Sequence, residues 1–200
     1  MSPPRSIFLG VTGASGAPYA LGLARELAAR DCALQLCISD AGVGVVAHEL
    51  RLSGDGRASV TAAFLAAAGA RATVFSPADF AAPPSSGSAF PDAAVVCPCS
   101  LSSAAEIALG TSRTLIHRAG AVAIKEHRPL VIVPRETPLS VVHLRRLLEL
   151  SEAGAFIVPP MPGFYNRPES LQDCIDFVVG KILTVLGFSQ DLCPAWSGLE

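Results

Sequence analysis

Apolar residues recur along this chain in two alternating rhythms. Ser6–Thr12, Ala33–Ile38, Ala93–Cys97 and Leu130–Pro134 are short runs that are apolar almost throughout, the pattern of strands buried on both faces. Between them the apolar positions fall at helical spacing. Ala17–Arg30 carries Leu21, Leu23, Ala24, Leu27 and Ala28 near one face. Ala41–Leu50, Leu101–Leu109, Thr114–Glu126, Leu139–Glu152 and Leu171–Leu186 read the same way. Thr73–Phe75 and Ala155–Val158 are shorter strand candidates, and the Ala-rich stretch 53–70 carries a short helix over Val60–Ala68. This alternation predicts an α/β chain: one Rossmann-like three-layer α/β/α domain over residues 1–200, with a mostly parallel sheet.

Two irregular segments interrupt the order. Pro77–Pro91 is rich in Pro, Ser, Gly and Ala and has no Lys or Arg; Pro159–Pro168 contains Pro159-Pro160-Met161-Pro162-Gly163-Phe164-Tyr165. Such restricted loops suit the positioning of a ligand or the covering of a partner subunit, and they equally suit plain connection.

Half of the 200 residues are hydrophobic, enough for a sizeable core. The net charge of −2, with no basic run longer than Arg145-Arg146, argues against a nucleic-acid partner. No apolar run reaches membrane-spanning length, and the N-terminus lacks the basic and apolar regions of a signal peptide, so a cytoplasmic location is expected. Cys32, Cys37, Cys97, Cys99, Cys174 and Cys193 mostly sit in or beside apolar segments, where a thiol serves as a small hydrophobe. Neither they nor His48, His117, His127 and His143 show metal-ligand spacing, and no metal is expected.

The chemistry concentrates at strand ends. Arg135-Glu136-Thr137-Pro138 stands where an apolar strand runs out, and an open α/β sheet presents its ligands there. A fixed cation beside a carboxylate suits a phosphate ester that must be gripped and protonated. Arg118, Lys125 and Lys181 are further candidate phosphate cations, though each alone also reads as a surface charge. Gly10-Val11-Thr12-Gly13-Ala14-Ser15-Gly16 opens the first helix and offers N–H groups to a phosphate or flavin edge. A dinucleotide fingerprint wants glycine at different positions and an acid closing the second strand, where this chain has Ser39. A mononucleotide is favoured, with a plain tight turn as the other reading. Ser85-Ser86-Gly87-Ser88 and Cys99-Ser100-Leu101-Ser102-Ser103 are hydroxyl-rich turns, and the second serves as a helix cap, a phosphate donor, or both.

With these residues assembled, the chain resembles the UbiX-type flavin prenyltransferases, within the homo-oligomeric flavin-containing cysteine decarboxylase group, from about Arg5 to Trp196. The matching stretches are Thr12-Gly13-Ala14-Ser15-Gly16-Ala17, Ile38-Ser39, Ser86-Gly87-Ser88, Cys97-Pro98-Cys99-Ser100, Lys125-Glu126-His127-Arg128-Pro129-Leu130, Arg135-Glu136-Thr137-Pro138 and Pro162-Gly163-Phe164-Tyr165. The resemblance implies metal-independent transfer of a dimethylallyl group from dimethylallyl phosphate to N5 and then C6 of reduced FMN. The product is a cofactor for a UbiD-type decarboxylase, and the transferase is a homo-oligomer, as a rule a dodecamer.

By the same resemblance Gly13, Ala14, Ser15, Ser39, Ser100, Leu101, Ser102, Ser103 and Arg135 hold FMN. Ser88, Arg118, Lys125, Glu136, Tyr165, Lys181 and Trp196 surround the prenyl phosphate, and residues 188–200 form a tail that closes the site. Glu49, Glu136, Ser15 and Lys125 carry the catalytic roles, Glu136 as proton carrier to the leaving phosphate. The chain departs from the family pattern at Asp40, where Lys is common, at His117, and at Arg118-Ala119-Gly120-Ala121. Lys181 replaces an Arg, keeping charge without the bidentate fork. Two other readings stand beside this one: a flavin-binding paralogue without transferase activity, and a flavin-dependent decarboxylase of cysteine-type substrates. The second is weakened because Pro98-Cys99-Ser100-Leu101-Ser102-Ser103 lacks the Asn those relatives carry.

Overall fold

The computed structural model describes residues 3–193, so Trp196 and the end of the 188–200 tail lie outside the described residues. Six strands, β1 (Ser6–Val11), β2 (Ala33–Ile38), β3 (Ala72–Val74), β4 (Ala93–Cys99), β5 (Leu130–Pro134) and β6 (Phe156–Ile157), form one sheet in the order β3-β2-β1-β4-β5-β6. Every pairing is parallel. The helices are α1 (Ala17–Ala28), α2 (Asp40–Glu49), α3 (Arg57–Ala68), α4 (Leu101–Ala108), α5 (Leu115–Lys125), α6 (Val141–Glu152) and α7 (Leu171–Val185).

The apolar strands are buried because helices cover both faces. Leu9, Leu36 and Val95 pack with α1, α3 and α7 through Leu23, Leu27, Phe64, Val179 and Ile182. Phe8, Val96 and Ile132 pack on the other side with α4, α5 and α6 through Ile107, Leu115, Ile116 and Leu150. Hydroxyl side chains start most of the helices: Ser39, Ser100, Thr114, Ser140 and Ser170 each accept a first-turn amide. Gly120 lets α5 approach α4, since a Cβ there would stand 2.9 Å from Ile107.

The differences from the sequence reading are local. The helix expected over Val60–Ala68 begins at Arg57, after the positive-φ Gly54 and Gly56. Arg57 donates back to the Ile38 carbonyl and pairs with Asp40. β4 runs two residues further than expected, to Cys99, with an irregular register against β5 beyond Val96. The Pro77–Pro91 segment is bound along α5: Leu115 N donates to Pro77 O at 2.7 Å and Arg118 Nε to Ser85 O at 3.0 Å. Five of the six cysteines are buried, and burial pushes the Cys37 and Cys99 thiols up to about 12, which makes them packing groups rather than nucleophiles. Among the described residues no helix is long and apolar enough to cross a membrane.

Sequence order along the sheet reverses between β1 and β4. In a doubly wound sheet the ligand crevice opens there, beyond the carboxyl ends of the strands.

Candidate active site

Thr12 joins the two loops at that reversal. It is buried, donates through Oγ1 to Pro98 O at 2.8 Å, and accepts from Ser100 N at 2.8 Å. The β1–α1 turn and the start of α4 are thereby fixed to each other. Arg135, at the end of β5, ties in the third loop: its amide donates to Cys99 O at 3.2 Å and its Nε to Ser15 O at 3.1 Å. Among the described residues no partner takes its two outer nitrogens, which leaves them for an anionic or carbonyl ligand.

The first turn of α1 is not the open anion seat that the sequence suggests. Glu49, from the end of α2, accepts from Gly16 N at 2.9 Å and Ala17 N at 2.8 Å. Pro18 has no N–H, and Tyr19 N donates to Gly16 O at 3.0 Å. Every amide of that turn is therefore occupied. Burial alone would raise the Glu49 carboxyl. Hydrogen bonds from the Ser15 hydroxyl and from Gly16 and Ala17, with the Arg135 charge, outweigh burial and hold it below its ordinary value. Glu49 is thus an anchored carboxylate that caps the helix.

Unpartnered amides lie instead at two other helix starts. Ser39 caps α2 through Gly42 N at 3.0 Å, and among the described residues nothing takes the Asp40 and Ala41 amides. Gly13 faces this turn so closely that a Cβ would stand 2.6 Å from Ala41. Ser100 caps α4 through Ser103 N at 3.2 Å, and the Leu101 and Ser102 amides are likewise without a partner among the described residues. The hydroxyls of Ser100, Ser102 and Ser103 cluster there, Ser100 standing 3.2 Å from Ser102 and 3.0 Å from Ser103. On the far side of the α1 turn a cleft of about 650 Å³ is lined by Ser15, Tyr19, His48, Glu49, Leu171 and Ile175, and Ser15 is the residue it shares with the expected FMN donors.

The other expected residues form two further groups. Tyr165 packs edge-on against Phe177 at 5.9 Å between ring centroids, and Lys181 Nζ lies 5.3 Å over the same ring. Gly163 admits that arrangement, since a Cβ there would stand 2.7 Å from Tyr165 and 2.8 Å from Phe177. Ser88, Arg118 and Lys125 follow the Pro77–Pro91 segment down α5. Lys125 closes the helix and pairs with Glu126, and Gly87 lies against both. A helix returning from one parallel strand to the next ends beside the amino ends of the strands, at the opposite end of the sheet. Lys125 therefore sits about 15 Å of helix from the start of α5, far from Glu136 of the same chain. Glu136 is exposed beside Arg135, its Oε1 taking Thr137 N at 3.1 Å.

Sequence reasoning did not single out Thr12 as the staple, nor Phe177 as the centre of the Tyr165–Lys181 group, nor Arg57 beside Ser39. A hydroxyl closing an otherwise apolar strand was the available signal for Thr12; Arg57 gave none.

A doubly wound sheet whose crevice is furnished with capped helix starts, serine hydroxyls and a half-committed arginine defines a mononucleotide-binding flavoprotein. The Flavoprotein family profile matches residues 1–183. The chain belongs to that family and, within it, to the flavin prenyltransferases. The flavin prenyltransferase UbiX of Pseudomonas aeruginosa is 45% identical over 200 residues, covering 98% of this chain and 96% of that one. A crystal structure of AnUbiX (PadA1) in complex with FMN and dimethylallyl pyrophosphate superposes with a TM-score of 0.86 at 36% identity, covering 98% of this chain and all of the other. A dodecameric FMN-dependent UbiX-like decarboxylase from Escherichia coli O157:H7 gives a TM-score of 0.82 at 38% identity over 97% of this chain and all of that one. The donor set fits FMN: unpartnered amides, hydroxyls and an arginine match the chemistry of its phosphate and carbonyl oxygens.

Proposed function

We propose that this chain transfers a dimethylallyl group from dimethylallyl phosphate to N5 and C6 of reduced FMN, making prenylated FMN. The observation that carries the reading is the convergence of Ser15, the Ser100–Ser103 turn and Arg135 at the sheet reversal, joined by Thr12. Gly13 and Ser39, with the Asp40 and Ala41 amides, take the phosphate end of FMN. Ala14 and Ser15, the Ser100, Leu101, Ser102 and Ser103 turn, and Arg135 take the polar edge of its ring. Reduced FMN, when bound, supplies the nucleophilic ring positions.

The protein's own work is electrostatic. Breaking an allylic C–O bond builds charge on the leaving phosphate, and fixed donors aimed at that charge lower the barrier without a metal. Arg118, Lys125, Tyr165 and Lys181 are those donors, Ser88 adds a hydroxyl, and Glu136 carries the proton to the departing phosphate. In one chain they stand apart, so the complete site draws on neighbouring protomers. The outward face of α6 supports such an assembly: Val141, Leu144 and Leu148, spaced along one stripe, are each more than half exposed. A dodecamer is the assembly proposed. Residues 188–200 close the site as part of the same single domain, and their described portion docks on Gly180 beside Lys181. The proposed setting is cytoplasmic, and the product goes to a UbiD-type decarboxylase.

The test is anaerobic incubation with reduced FMN and dimethylallyl phosphate or diphosphate, followed by mass measurement of the flavin. A mass gain of one prenyl unit with one donor is expected. Retained FMN of unchanged mass with both donors would favour the non-transferring paralogue.

A further inference from the structure

His117, in the first turn of α5, reaches across to the start of α4. Its Nε2 lies 3.2 Å from Ser103 Oγ, and Ser103 Oγ lies 3.0 Å from Ser100 Oγ. The other ring nitrogen, Nδ1, is buried and unpartnered among the described residues. A buried polar atom without a partner is an exception that calls for a role. Three groups therefore form a chain from a half-buried imidazole to the crevice, and each can either give or accept a proton.

We infer that His117 is a positioning residue that sets the direction of this chain, turning the Ser103 hydroxyl into a donor toward the carbonyl edge of the flavin. The inference rests on the flavin reading above. The chain has two directions. In one, Ser100 donates to Ser103, Ser103 donates to Nε2, and the ring proton sits on Nδ1. Both hydroxyl protons then point away from the ligand. In the other, Nε2–H donates to Ser103, which still accepts from Ser100 and is free to donate its own proton toward the crevice. The two directions carry the same net charge and differ in which ring nitrogen holds the single proton, Nδ1 in the first and Nε2 in the second.

The second direction matters most when the flavin is reduced, because the carbonyl oxygens of that edge then carry more negative charge and accept more strongly. Arg135 stands at the same locus as a permanent cation. The charged neighbours of the ring are Glu106 and Arg113, which pair with each other at 3.0 Å, so the ring faces a compensated pair. Burial, together with Arg113, disfavours the imidazolium and keeps the ring neutral, as a tautomeric switch requires.

The experiment compares H117A, H117N and H117Q by anaerobic titration with oxidised and with reduced FMN. A Gln amide nitrogen falls where Nε2 stands, whereas that of Asn falls where Nδ1 stands. H117A and H117N are expected to lose about tenfold in the preference for reduced over oxidised FMN. H117Q is expected to stay within about threefold of wild type on the same scale. A purely structural histidine would shift both affinities together and leave the ratio alone. An unchanged ratio in a folded H117A overturns the inference, and so does an H117N ratio equal to that of H117Q. The Asn and Gln pair decides the matter even where the Ala variant fails to fold. A wild-type protein that binds neither form of FMN overturns the flavin reading, and this inference with it.

Discussion

Arg135 Nε donates to the Ser15 carbonyl oxygen across 3.1 Å, although the two residues are 120 positions apart in the chain. One guanidinium thus does two jobs: it closes the gap between the β5 end and the β1–α1 turn, and it presents its outer nitrogens to the crevice.

Replacing it separates those jobs. R135K keeps the charge but loses the fork that spans the gap. R135A is expected to weaken FMN binding about 10- to 100-fold, with R135K between it and wild type. Flavin fluorescence titration reads this directly. Equal affinity in all three proteins would remove Arg135 from the site.

Thr12 offers a structural counterpart. Its hydroxyl accepts from Ser100 N and donates to Pro98 O, both at 2.8 Å, inside the core. T12V matches its shape and leaves the buried Ser100 amide unmatched, while Pro98 O keeps the Thr12 amide at 3.2 Å, at a cost of about 1–3 kcal/mol. T12S restores the bonds. Denaturant unfolding should show the loss in T12V and its recovery in T12S, and FMN affinity should fall in T12V because the serine turn loosens.

Glu49 gives a pH signature. Its carboxyl lies below the ordinary value in the folded protein through bonds to Ser15, Gly16 and Ala17 and the Arg135 charge, which together outweigh burial. A depressed carboxyl stabilises the fold above its unfolded value of about 4.3, and that contribution is lost as pH falls through the folded value. E49Q should therefore unfold more easily than wild type at neutral pH, by about 1 kcal/mol as for other lost helix caps. The gap should close below about pH 4. Thermal unfolding of the two proteins across this range measures it. A difference that persists undiminished in acid would show that charge is not what Glu49 contributes.

The fold was legible because its strands are buried on both faces. Leu130–Pro134 is wholly apolar and wholly buried, and Ala33–Ile38 and Leu130–Pro134 fall where the pattern puts them. The start of α4 was legible through Ser100, whose cap is local. What stayed hidden depends on segments distant in sequence. Nothing near Gly16 announces that Glu49 will take its amide from 33 residues away. His117 read as one more structural or exposed histidine, because its contact with Ser103 exists only once α5 lies against α4. Lys125 looked adjacent to the Arg135–Glu136 end of β5 in sequence. The intervening strand β5 carries the chain from one end of the sheet to the other between them.

Gly180 should govern the docking of the C-terminal turn. A Cβ at this position would stand 2.8 Å from Gln190 Oε1 and 3.0 Å from Cys193 Sγ, within a turn where Gln190 Oε1 also accepts Cys193 N at 3.2 Å. G180A is expected to displace that turn while leaving α7 intact, since Ala favours a helix over Gly. Limited proteolysis followed by intact mass should show faster cleavage beyond residue 188. Unchanged cleavage would mean that the turn is held elsewhere.

Assembly is tested on α6. Leu147 and Leu150 of this helix are buried against the sheet, whereas Leu144 and Leu148 are 52% and 57% exposed. Two leucines one helical turn apart bury enough apolar area at a contact to be worth several kcal/mol when both are covered, at roughly 1.5–3 kcal/mol each. A charge at either position would be forced into that contact. L144E and L148E should each reduce the particle mass seen by light scattering, and the double variant should run as the smallest species, with its monomer fold intact by circular dichroism. On the proposed arrangement, in which Lys125 completes the phosphate site of a neighbouring protomer, prenyl transfer should fall with the mass. A double variant that stays fully assembled would place the subunit contacts on another face.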